Sequence, residues 1–272
     1  MKILFLVDIS GRPGRKLVKQ LLPELKTKYK PDVVLANCEN AAHGLGITKD
    51  IINELSSYGI DYFTSGDHVW SIRDFIDELF DINLPLLRPY NYESQEKLPG
   101  KGYHYLDLGS KGRLLIINLI GQSFMKQNSR SPFYAIDELF VELGINHHGL
   151  TKSGTKETIF IDFHAETTAE KLCLADYLKE RVTALVGTHT RVPTADERLM
   201  GDMAYVTDVG MVGPLDASLW IDFDVAIHNF KYPYKKMPVV QELGRQVLNS
   251  VLIDTENGVA KSIKRVDRVV SA

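Results

Sequence analysis

Apolar positions in this chain come in short unbroken runs, each closed by a polar segment and most followed by apolar residues at helical spacing. Residues 2–7 (KILFLV) form the first run, and the lack of alternation predicts a strand buried on both faces. Gly11, Pro13 and Gly14 then punctuate a turn. Leu17, Val18, Leu21, Leu22 and Leu25 mark one face of a helix that Pro23 should kink. Strands over 32–36 and 61–65 follow, separated by a short helix over 49–58, and another amphipathic helix is expected over 72–80.

The middle of the chain changes character. Residues 103–108 and 114–120 flank the GSKG segment at 109–112 and predict a β-hairpin. A helix around 135–143 comes next, then a strand over 158–162 and a helix opened by the capping box of Thr167 and Glu170. Strands over 182–186 and 204–207 restore the strand–helix rhythm, and 251–266 reads as a second, C-terminal hairpin around 256–258. Residues 218–238 show no clear period and read as an irregular excursion.

Five of the predicted strands end in loops rich in metal-ligand types. They carry Asp8, then Glu39 with Asn40, then Asp67 with His68, then His164, then His189. In open α/β sheets the carboxyl ends of the strands frame the binding site, so five polar ends on one edge can converge although they are far apart in sequence. Carboxylates, an amide and imidazoles without a cysteine pair suit hard or borderline divalent cations. Such ions polarise phosphate oxygens and make water nucleophilic near neutral pH, and a central carboxylate such as Glu39 can bridge two of them.

Taken singly, each residue has a plainer reading. Asp8 serves equally well as a turn former or helix cap, and His164 as a hydrogen-bonded core histidine. The repetition at five strand ends favours a shared site. The remaining histidines lack such company: His147 and His148 sit in a solvated loop, His104 and His228 have no acidic or histidine companions at useful spacing, and His43 lies in a glycine-rich segment.

Charge and composition narrow the classes. With 32 basic and 35 acidic side chains the formal net charge is −3, so no basic excess drives non-specific nucleic-acid binding. Two cysteines, Cys38 and Cys173, exclude a disulfide framework and suggest a reduced, cytoplasmic protein. No apolar stretch approaches the roughly 18–20 residues that span a bilayer.

The segments VDISGRPGR, ANCENAAHGLGIT, SGDHVW, LLRPYNY, IINLIGQSF, IDFHAETTAEK, VGTHTRVPTADERL and AYVTDVGMVGP, in this order, resemble the bacterial YmdB-like branch of the calcineurin-type metallophosphoesterases. The resemblance runs from Asp8 to about Pro214, with a weaker echo over 247–266. It implies a four-layer α/β/β/α sandwich with two mixed β-sheets, formed by residues 1–272 as a single domain. It also implies hydrolysis of phosphodiesters of the 2′,3′-cyclic nucleotide class. Asp8 and Glu39 would bind one metal with Asn40 beside them. Glu39 would bridge to a second metal held by residue 67, His164 and His189, and His68 would contact the phosphate and protonate the leaving oxygen. A homo-oligomer also fits the resemblance, with the apolar segment near 220–234 as an interface.

Three positions depart from the family pattern. The family reads G-D-I where this chain has Val7-Asp8-Ile9, G-N-H where it has Gly66-Asp67-His68, and G-T-H-T-H where it has Gly187-Thr188-His189-Thr190-Arg191. Arginine offers only donors and cannot ligate a metal. One reading is that Arg191 supplies the charge of the first metal and holds phosphate oxygens, leaving a one-metal site of Glu39, Asp67, His164 and His189. The sequence therefore supports a phosphodiesterase using one or two divalent ions, with Mn, Fe, Mg and Zn all compatible. The alternative is an impaired homologue that binds a nucleotide or protein and regulates RNA metabolism.

Overall fold

The computed structural model describes residues 1–94, 96–237 and 244–271. Along the chain, β1 (Lys2–Leu6) leads into α1 (Gly11–Tyr29), β2 (Val33–Asn37) into α2 (Lys49–Ser57), and β3 (Tyr62–Thr64) follows. Next come β4 (Tyr103–Asp107), β5 (Arg113–Ile120), α3 (Pro132–Leu143), β6 (Thr158–His164), α4 (Thr168–Leu178) and β7 (Ala184–Thr188). The remainder holds β8 (Arg198–Met200), β9 (Met203–Val206), β10 (Val212–Pro214), α5 (Phe223–Lys231), β11 (Gln246–Leu248), β12 (Ser250–Glu256), β13 (Val259–Arg265) and β14 (Arg268–Val270).

Two mixed sheets stack face to face. The first has the order β13-β12-β1-β2-β3 and the second β4-β5-β6-β7-β9-β8, while β10-β11-β14 form a small third sheet. Within the first, β1, β2 and β3 are parallel. Within the second, β5, β6, β7 and β9 are parallel. The unbroken apolar runs follow from this arrangement. Ile3 and Phe5 of β1 face the second sheet, with Phe5 and Phe160 rings 5.0 Å apart between centroids, whereas Leu4 and Leu6 face the α1 and α2 layer. On the other side, Leu114 and Ile116 point to the first sheet while Leu115, Ile117 and Leu119 pack on α3 and α4. The result is an α/β/β/α sandwich in which the central strands β1, β2, β5, β6 and β7 are covered on both faces.

Three local expectations need correction. The glycine-rich segment after β1 belongs to α1, which begins at Gly11 and continues past Pro23 to Tyr29. Gly14 is there for close approach, since a Cβ would lie 2.4 Å from the Val212 carbonyl oxygen. Residues 72–80 form two short 3₁₀ turns, Arg73–Phe75 and Asp77–Phe80, in place of an α-helix. Only Phe75 and Leu79 are buried there while Phe80 is exposed, so the segment has little apolar burial to hold a longer helix. Within 218–238, expected to be irregular, the capped helix α5 forms, with Asp222 accepting from the Asp224 and Val225 amides; position 238 lies outside the described residues. No described helix is long and apolar enough to cross a membrane.

A candidate metal centre where the two sheets meet

Asp8 follows the carboxyl end of β1, Glu39 and Asn40 follow β2, and Asp67 and His68 follow β3. From the second sheet, His164 closes β6, while His189 and Arg191 follow β7. Parallel pairing within each sheet sends these ends to one side, and the stacking brings them into contact. Glu39 Oε1 lies 3.3 Å from His164 Nε2 although the two come from different sheets.

Glu39, Asp67, His164 and His189 each offer one ligand atom within 4.8 Å of the others. The hydrogen bonds fix which ring nitrogens face the centre. Thr188 Oγ1 donates its single proton to Asp162 Oδ1 at 2.7 Å, so His164 Nδ1 must be the donor to Thr188 at 2.9 Å. That leaves His164 Nε2 facing Asp67 Oδ1 at 3.1 Å and His189 Nδ1 at 3.0 Å. His189 turns its other nitrogen, Nε2, to Glu166 Oε2 at 3.0 Å. Two imidazole nitrogens and two carboxylate oxygens thus face one point. Such a set calls for a cation, and a divalent metal fits it, with Glu166 and the Thr188–Asp162 pair orienting the rings from behind.

The electrostatics agree. Burial alone would lower the proton affinity of His164, but Glu39 and Asp67 outweigh it and hold the imidazole well above its ordinary pKa. Burial also raises Glu39, yet His164 and His68 hold its carboxyl well below the usual range. Desolvation, then the charge of His164, push His189 down to about 4, so it is neutral near pH 7.

Asp8, Asn40, His68 and Arg191 lie outside this set and form a second group joined to it through Glu39. Arg191 Nε donates to Asp8 Oδ2 at 2.9 Å, and the Asp8 carboxylate is fully buried. Burial works against the guanidinium charge, but Asp8 and Glu39 outweigh it and keep Arg191 protonated. The Asn40 amide donates to Asp8 Oδ1 at 2.6 Å and to Glu39 Oε1 at 3.0 Å. Its carbonyl therefore accepts from His68 Nδ1 at 2.9 Å, leaving Nε2 of this partly exposed ring without a hydrogen-bond partner among the described residues, 3.7 Å from Asp67 Oδ2. Asp8, His189 and Arg191 all adopt left-handed backbone, with φ of 40°, 95° and 63°. Each such residue costs about 1–3 kcal/mol, a strain typical of functional sites.

Four supporting groups escaped the sequence reading. Asp162 is fully buried in β6 and accepts from Asn37, Thr64 and Thr188. Its signal was a charged residue inside an apolar strand, two positions before His164 and so on the same face. Glu166 and Gln127 gave no such signal; the Gln127 amide donates to Asp67 Oδ2 at 3.1 Å from a loop distant in sequence. Buried Lys171 bonds the Thr188 carbonyl and Asp208, which in turn accepts from Thr190, so the loop bearing His189 is pinned from behind.

Two stacked mixed sheets with a carboxylate–imidazole cluster at their joint carboxyl ends define a metallophosphoesterase-type protein. The match to known proteins makes this specific: residues 4–266 match the model of the YmdB-like protein family, and the chain belongs to that family. It is 42% identical over 273 residues to a Bacillus subtilis (strain 168) protein named 2′,3′-cyclic-nucleotide 2′-phosphodiesterase, covering 99% of this chain and 97% of that one. Among solved structures, it resembles a novel phosphatase from Mycoplasma pneumoniae with a TM-score of 0.88 at 29% identity, over 99% of this chain and 93% of that one. A hypothetical protein from Thermus thermophilus aligns with a TM-score of 0.85 at 30% identity, over 100% of this chain and 99% of that one.

Proposed function

We propose that this protein is a metal-dependent phosphodiesterase acting on 2′,3′-cyclic nucleotides, as the name of the Bacillus subtilis relative suggests. The observation that carries the proposal is the convergence of Glu39, Asp67, His164 and His189 beside the partly exposed His68 ring and a buried arginine. When bound there, a divalent ion supplies a nucleophilic water near neutral pH and offsets charge on the phosphate.

The chain's own residues supply the rest. His68 donates a proton from Nε2 to the departing ribose oxygen as the phosphorus–oxygen ester bond breaks and water oxygen takes its place. Burial lowers the proton affinity of His68, but the hydrogen bond and charge of Glu39 raise it above the ordinary value, which favours the acid form. Arg191 is held by Asp8 through Nε, and its terminal nitrogens have no hydrogen-bond partner among the described residues. They are placed to take phosphate oxygens.

The same ion pair supports one metal per chain. Asp8 is engaged by Arg191 and Asn40, so a fixed guanidinium stands where Asp8 would otherwise require another cation. We treat residues 1–272 as one domain in this reading, because the site draws on both sheets. A cytoplasmic setting is part of the proposal, supported by the unbridged Cys38 and Cys173.

The test is hydrolysis of 2′,3′-cyclic AMP by protein loaded with Mn²⁺. Turnover is expected, with a loss of about 10²-fold or more in Glu39→Ala or His164→Ala. A folded, metal-loaded protein without turnover would sink the enzyme reading in favour of a nucleotide- or protein-binding regulator.

A further inference from the structure

Beside the centre, a cavity of about 210 Å³ opens next to Arg191. Its walls are mainly apolar, built among others by Pro193, Met211, Leu215, Ala217, Leu219 and Val247, with Asn249 as the polar exception besides Arg191. Asn249 is only 4% exposed. Its Oδ1 accepts from the Met211 amide at 3.1 Å, which fixes the side chain's orientation. Gly210 makes room for it, since a Cβ there would sit 2.4 Å from that oxygen. The amide Nδ2 has no hydrogen-bond partner among the described residues. A buried amide lining an apolar cavity, fixed through one atom and unpartnered among the described residues through the other, is built to read a ligand.

We infer that this cavity is the nucleobase subsite, with Asn249 as a specificity-determining residue; the inference rests on the phosphodiesterase reading above. Continuity with the centre identifies the occupant. Arg191 lines the cavity and also pairs with Asp8, which is joined through Asn40 to Glu39. A phosphate on the terminal nitrogens of Arg191 therefore leaves its nucleoside beside the cavity mouth. A flat heterocycle suits apolar walls with one donor, and the volume is below that of a site enclosing a whole drug-sized ligand. The free donors of Nδ2 call for a carbonyl or ring-nitrogen acceptor on the base edge.

The test compares calorimetric binding of uridine 3′-monophosphate with that of methyl riboside 3-phosphate, which lacks the base. The wild type should bind the nucleotide about tenfold tighter or better, and Ala217→Phe, which fills the cavity, should abolish that advantage. Asn249→Asp keeps the acceptor for Met211 and removes the donors. It should shift the ratio of KM for uridine and adenosine 2′,3′-cyclic phosphates by about tenfold, with kcat little changed. Equal binding of both phosphates by the wild type, or an undiminished base advantage in Ala217→Phe, overturns the inference. A base advantage without hydrolysis of any cyclic phosphate supports the subsite and overturns the phosphodiesterase reading, so the two fail separately.

Discussion

At Gly66 the candidate centre depends on the absence of one carbon. A Cβ there would lie 2.3 Å from Glu39 Oε2 and 2.4 Å from His164 Nε2, inside the space the ligand atoms need. Gly66→Ala should therefore cut metal content well below that of wild type while leaving the far-ultraviolet circular dichroism unchanged, because β3 ends before it. Metal content equal to wild type would show that the ligands do not converge as described. His164 gives a second expectation at this scale. Glu39 and Asp67 raise its proton affinity, so without an ion its imidazole carries a proton. Below that raised pKa a proton competes with the metal; above it the competition ends. Affinity should rise with pH from the acid side, with about one proton released per ion near neutrality. Calorimetry in buffers of different ionisation enthalpy reads the proton count, and a pH-independent affinity with no release would contradict the assignment.

Each supporting element acts through a loop that it holds. Glu166 lies between β6 and α4 and turns His189 so that Nδ1 faces the ligand cluster. Glu166→Gln keeps a hydrogen bond but loses the charge, and should weaken metal binding by about tenfold, near the low end of what such outer partners contribute. An unchanged affinity would make that contact incidental. These elements also show what sequence conveys. Unbroken apolar runs identify the paired sheets because a strand covered on both sides has no polar face to alternate. The amphipathic pattern at 72–80 is less decisive, since its apolar spacing suits a helix but only two residues find a buried partner. The polar residues at strand ends can be listed from sequence; their contacts cannot. Asp162 is hydrogen-bonded to an amide 125 positions away, and no local pattern encodes that pairing. Nor does sequence spacing show that Arg191 would meet Asp8, 183 positions earlier.

Across the whole molecule, the two sheets each bring a half-site that is chemically incomplete. The first contributes carboxylates, an amide and the His68 imidazole, the second contributes two imidazoles and a guanidinium, and stacking around the shared apolar core brings them together. The formal charge of −3 says little about this, because the balance is struck locally. Arg191 offsets Asp8, and the negative charge of Glu39 and Asp67 is left to a cation. The proposed centre is thus a single divalent ion in one group of ligands with a permanent cation beside it. The most direct test is anomalous diffraction at the manganese edge from crystals of the Mn²⁺-loaded protein. One peak per chain is expected, bonded to Glu39, Asp67, His164 and His189, with Arg191 still paired to Asp8. Two peaks per chain, or a peak on Asp8 with Arg191 displaced, would contradict it.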